Sequence, residues 1–180
     1  MQTRPLLPGE YAILGLLLSG PKHGYEMARY FGREELSEVC PIEQSLLYTY
    51  LRNVEERELV AWSELRVGNR PPRKLFELTR LGRDLIESWL ETPVERLREV
   101  RLDFLLKLYF LHQLDGARER ALLDAQISAC RQYFERLEAR EREATGFSKL
   151  VAASKRSGAE STLRWLEEYA IQLAADGVPA

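Results

Sequence analysis

Two short stretches in which apolar and β-branched or aromatic residues alternate with polar ones, residues 59–67 and 74–78, flank the run Gly68-Asn69-Arg70-Pro71-Pro72-Arg73. Every other strong periodicity in the chain is helical. Alternation suits half-buried strands, and Gly, Asn and Pro supply a turn, so this region predicts one β-hairpin with a long tip stiffened by its Pro-Pro pair. A lone hairpin is marginal in water. Helices on either side must therefore supply its core, and the chain reads as mostly α.

The preceding helices can be placed by their breakers. An apolar helical stretch over residues 11–18 stops at Ser19-Gly20-Pro21, and a second short helix is expected over 22–31. Gly32 and Cys40-Pro41 bracket a polar stretch before a third helix over 43–58. Its residues Leu47, Tyr50, Leu51 and Val54 are spaced i, i+3, i+4, i+7 and form one buried stripe. The opposite stripe is Ser45, Tyr48, Thr49, Arg52 and Glu56, either a solvated face or a reading surface; Tyr48 is an unusual aromatic for mere solvation. After the hairpin, Thr79 suits the N-cap of a fourth helix ending near residue 90.

Pro93 marks a change of character. We place a first domain at 1–91 and a helical second domain at 92–180. In the second, Leu97, Val100, Phe104, Leu108 and Leu111 give one apolar stripe on a long helix that Gly116 ends. Leu123, Ile127, Cys130, Phe134 and Leu137 follow with heptad spacing. Residues 146–158 look looser, and a final helix gathers Thr162, Trp165, Leu166, Tyr169, Ala170 and Leu173 on one side. These apolar faces exceed what three helices can bury among themselves, so a homodimer is expected.

Charge first argues against a nucleic-acid partner, since 26 Lys+Arg face 28 Asp+Glu for a net charge of −2. The distribution answers that objection. Arg66, Arg70, Arg73 and Lys74 fall within the hairpin tip with no acidic residue between 66 and 75. Screening over about 8 Å makes this local charge count more than distant charge. Three helices followed by a basic hairpin is the layout of a winged helix-turn-helix, with the third helix in the major groove and the wing on the backbone or minor groove of double-stranded DNA.

Other classes are disfavoured. His23 and His112 lie in different domains without Cys or Ser at motif spacing, and Gly15 and Gly20 do not follow a strand, so neither an enzyme nor a cofactor is expected. Two cysteines, Cys40 and Cys130, build no metal or disulfide framework; Cys130, on the heptad seam, reads as a small core hydrophobe. Apolar runs at 11–18 and 102–111 are shorter than the ~20 residues of a membrane helix, which predicts no membrane association and a cytoplasmic location. A winged helix used as a protein-binding adaptor without DNA remains the alternative.

The run Ala12-Ile13-Leu14-Gly15-Leu16-Leu17 followed by Gly20-Pro21-Lys22-His23-Gly24-Tyr25-Glu26 resembles the opening of PadR-family transcriptional regulators. Leu47-Tyr48 through Leu51 and Val54-Glu55, and Arg70-Pro71-Pro72-Arg73-Lys74 leading to Leu78-Thr79 and Gly82, are similar to that family's recognition helix and wing. The helical remainder is similar to the longer PadR subfamily, whose C-terminal region dimerises. The chain departs from the family's usual serine before, and proline after, the Leu-Tyr pair, having Ser45-Leu46 and Thr49-Tyr50 there.

The resemblance implies DNA contacts from Tyr48, Thr49 and Arg52 on the third helix, from Gln44 and Ser45 at its start, and from Tyr25 and Lys22. Tyr25 has an alternative as a structural residue packing the second helix on the third. A homodimer places two wings and two recognition helices on one face, which predicts a palindromic operator, and a repressor is expected because repression needs only occupancy of a promoter; the resemblance further implies release by a small aromatic or cationic effector. Phe104, Tyr109, Trp165 and Tyr169 are candidates for that pocket or for plain dimer core.

Overall fold

The computed structural model describes residues 4–33, 35–65 and 73–175. They fall into two compact units: Met1–Leu90 with Leu105–Phe110, and Glu91–Phe104 with Leu111–Ala180.

The first unit opens with α1 (Pro8–Leu18), whose Ala12, Ile13, Leu14, Leu16 and Leu17 are all buried. Pro8 at the start of the helix costs nothing there, because its missing N–H has no intrahelical partner in any case. Next come β1 (Lys22–His23), α2 (Gly24–Arg33), the one-turn α3 (Leu36–Val39) and α4 (Gln44–Glu56). Strands β2 (Val60–Leu65) and β3 (Arg73–Leu78) form the hairpin, and α5 (Arg80–Glu91) follows. Thr79 caps α5 as expected, its hydroxyl accepting the Gly82 N–H at 3.0 Å.

Two local expectations change. Lys22 and His23 begin no helix; they pair antiparallel with Phe76 and Leu75, adding a third strand in the order β1-β3-β2. Gly20 at φ +119° turns the chain so that these residues reach the free edge of β3. The polar stretch before α4 also contains a turn of helix, seated by fully buried Leu36.

Burial of one carboxylate fixes α1 against α4. Glu10 is 0% exposed and accepts two hydrogen bonds from Arg4 at 3.0 and 2.6 Å, the Leu7 N–H at 2.8 Å and Asn53 Nδ2 of α4 at 2.9 Å. Burial pushes this carboxyl toward its neutral form, but the Arg4 bonds, with Leu7 and Asn53, outweigh it and hold it below the usual carboxylate range. Beside it, a Cβ on Gly9 would run into the Tyr50 ring, so any larger residue there would have to displace that ring. Farther along the unit, the Tyr11 and Trp89 rings stack at 4.3 Å, and buried Lys107 places its ammonium 4.6 Å from the Trp89 ring.

A 3₁₀ turn (Leu97–Arg101) of the second unit precedes α6 (Asp103–Leu114), whose middle, Leu105–Phe110, is assigned to the first unit, so the Leu97 to Leu111 stripe is carried by two elements rather than one helix. Gly116 does not end a helix but starts α7 (Gly116–Glu143), whose N-cap Asp115 accepts from the Ala117 and Arg118 N–H groups. A two-residue connection leads to α8 (Gly146–Ala175), with Gly146 at φ +55° making the reversal. Residues 146–158 are helical, not loose. Gly158 lies inside α8 beside Leu97, whose Cδ2 would meet an added Cβ at an ordinary contact distance of 3.5 Å. Ion pairs Arg131–Glu167 and Arg156–Glu141, at 2.7 and 2.6 Å, tie α7 and α8 side by side in opposite directions.

Candidate nucleic-acid interface

A groove of about 860 Å³ in the first unit runs between the start of α2, the exposed side of α4 and strand β3. It is built by three features. First, β1 brings His23 beside β3, where its Nδ1 lies 2.9 Å from the Lys74 carbonyl oxygen. Second, Glu26 accepts the His23 N–H at 2.6 Å, closing the first turn of α2 and projecting Tyr25 outward. Third, the buried stripe Leu47, Leu51 and Val54 anchors α4, which leaves Tyr48 and Arg52 on its opposite side.

The basic side chains rest on aromatic rings. The Arg73 guanidinium lies over Tyr25 at 5.1 Å, and the Lys74 ammonium over Trp62 at 3.8 Å. Tyr25 itself stacks on His23, ring centroids 5.5 Å apart. Trp62 is oriented by its indole N–H, which donates to Glu55 of α4 at 2.6 Å. Tyr48 passes over Gly24, where an added Cβ would meet its ring at 2.9 Å. The result is a wall of cations with their apolar stems and partners beneath them, open toward Arg52 across the groove.

Of the residues singled out in the sequence, Tyr25, Tyr48, Arg52, Arg73 and Lys74 line this groove together. Tyr25 is 51% exposed and packs on His23 and Arg73, so it does not serve as the spacer between α2 and α4 that the alternative reading required. Gln44, Ser45 and Thr49 are exposed on α4 outside the groove lining, and the Thr49 hydroxyl donates to the Ser45 carbonyl at 3.2 Å. Lys22 is turned to Tyr30, 5.9 Å from its ring. Arg66 and Arg70 lie outside the described residues.

The aromatic candidates of the helical half separate. Phe104, Trp165 and Tyr169 form a run in the second unit: Phe104 meets Trp165 edge-on, Trp165 stacks on Tyr169, and the Tyr169 hydroxyl donates to buried Glu119 at 2.5 Å. Tyr109 belongs to the first unit, edge-on to Phe110.

Residues 13–88 match the model of the transcriptional regulator PadR-like family. Those residues thus form a PadR-like domain. Residues 100–174 match a second model, described as the virulence activator alpha C-terminal region. The negative transcriptional regulator PadR of Bacillus subtilis (strain 168) is 29% identical over 118 residues, which is 66% of this chain; the match spans 64% of that relative's length. Among solved structures, Bacillus subtilis PadR in complex with operator DNA is similar at 25% identity and a TM-score of 0.47, over 91% of this chain and 98% of that one. The same protein in complex with p-coumaric acid gives 24% identity and a TM-score of 0.44, over 93% and 99%. PadR-family members are transcriptional regulators, not enzymes. Among the described residues, no helix is long and apolar enough to cross a membrane.

Two groove residues, His23 and Glu55, escaped the sequence reading as site residues, and so did Trp62, which lies outside the groove lining and supports Lys74. Their signal was present only in part. Trp62 sits where strand alternation points it to the side of Lys74, its diagonal neighbour on β3, but the Glu55 contact depends on how α4 meets β2.

Proposed function

We propose that this chain is a cytoplasmic, DNA-binding transcriptional repressor that acts as a homodimer on a palindromic operator. The observation that carries the reading is the groove in which Arg73 and Lys74, each held on an aromatic ring, face Arg52 and Tyr48 of α4. The wing cations would grip phosphates regardless of sequence, and Arg52 would read base edges as α4 enters the major groove. Gln44 and Ser45, at a helix start without a side-chain cap, would approach a phosphate where N–H groups await an acceptor. Arg66, Arg70 and Lys22 would add long-range attraction.

Dimerisation is supported by α8, where Phe147, Leu150 and Val151 are exposed at 78%, 63% and 37% and share one side at i, i+3, i+4 spacing. A two-fold pair would present two α4 helices to half-sites one helical turn apart or a multiple of it. Repression needs only that the dimer occupy a promoter. Mobility-shift titrations at several salt concentrations test this function. Arg73→Ala should weaken binding to every duplex and flatten the salt dependence, while Arg52→Ala should also change which duplexes are preferred. Unchanged titrations for both variants would overturn it.

A further inference from the structure

A second groove, of about 870 Å³, lies wholly within the second unit, between the 3₁₀ turn, α7 and α8. Its rim carries Arg96, Arg98 and Arg101 on one side and Lys155 of α8 on the other, with Leu97 and Tyr133 on the floor. Glu95 is the one carboxylate of the described lining, and Arg96 has Glu99 at 3.8 Å. Among the described residues, no carboxylate pairs with Arg98, Arg101 or Lys155.

This concentration of positive charge stands out in a chain whose net charge is −2. Like charges gathered around a concave, partly apolar surface repel one another and focus a positive potential into the groove, and a bound anion relieves both. The frame beneath them is fixed. Gln126 of α7 accepts the Val94 N–H at 2.8 Å and donates to the Val94 carbonyl at 3.1 Å, clamping the start of the cationic segment. Leu97 of the 3₁₀ turn packs beside Gly158 of α8.

We propose that this groove binds a multiply charged organic phosphate, with the phosphates between the arginines and Lys155 and the organic body on Leu97 and Tyr133. A single carboxylate would leave at least two of the cations facing each other unneutralised. Phosphate oxygens accept the two-pronged hydrogen bonds that guanidinium groups present. The groove lies within the usual size range of small-molecule sites, roughly 300–1,000 Å³. The site is independent of the DNA groove and would place a metabolite-responsive input on the helical half.

Isothermal titration of the full chain with ADP, at low salt and without DNA, tests this. The wild type should bind about one ADP per chain. Arg73→Ala/Lys74→Ala should bind equally, because the wing takes no part, while Arg98→Ala/Arg101→Ala should bind about tenfold more weakly or worse. Both arginines are exposed, and circular dichroism checks that the variant folds; Lys155→Glu gives the same readout from the opposite rim. Absence of binding at millimolar ADP, binding that survives the rim variants, or binding lost in the wing variant would each overturn the proposal.

Discussion

The Arg73 guanidinium lies over the Tyr25 ring, 5.1 Å from its centroid, so the first described residue of the returning wing strand is braced by the first turn of α2. An arginine held this way gives up less freedom on meeting a phosphate than one that swings free. Tyr25→Ala should therefore weaken DNA binding although it removes no charge, by about 0.5–1 kcal/mol, which fluorescence anisotropy would read as a two- to fivefold rise in Kd. Tyr25→Phe keeps the ring and should stay near wild type unless the hydroxyl itself touches DNA.

Glu10 links Arg4, the start of α1 and Asn53 of α4. Glu10→Gln keeps the shape but not the charge-assisted bonds, and should cost about 1–3 kcal/mol in urea unfolding. Because the folded carboxyl is held below its ordinary value of 4.5, its contribution is complete only above that value and fades as pH falls through the lowered folded one. The stability gap between wild type and Glu10→Gln should accordingly narrow on acidification and stay constant at neutral pH.

Gly82 and Gly32 should respond in opposite ways to the same substitution. A Cβ on Gly82 would lie 1.9 Å from the Leu59 carbonyl oxygen, a backbone atom that also accepts the Thr79 N–H and cannot step aside. Gly82→Ala should destabilise the chain by several kcal/mol, of the size seen for overpacked cores and beyond. Gly32→Ala meets nothing within 4 Å and sits in α2, so it should stabilise the chain by about 0.5–1 kcal/mol, read as a slightly higher melting temperature.

Cys130 should resist thiol reagents. Burial pushes its thiol up, only partly offset by the Gln126 hydrogen bond at 3.5 Å. Labelling of the folded chain near pH 8 should be slow at this residue and become rapid in denaturant; fast labelling of the native state would show that the α7 seam opens.

Much of the first unit was legible because its signals are local. Ser19-Gly20-Pro21 stopped α1, the stripe through Leu47, Leu51 and Val54 oriented α4, and Thr79 capped α5. What failed locally was decided by tertiary partners: Lys22-His23 became a strand because β3 offered an edge, and residues 146–158 became helix because α7 lies alongside. In the groove of the first unit, Tyr48, Arg52, Arg73 and Lys74 follow from charge and helical phase. His23 and Glu55 do not, nor does Trp62 behind Lys74, since their roles arise from contacts between different elements.

Selection of bound sequences from a random duplex pool, run side by side with wild type and Arg52→Ala, tests the central claim most directly. Wild type should enrich an inverted repeat whose halves are spaced by one helical turn or a multiple of it, and Arg52→Ala should relax the preference at a symmetric pair of positions. Recovery of no enriched sequence, or of the same sequences with the same strength by both proteins, would contradict it.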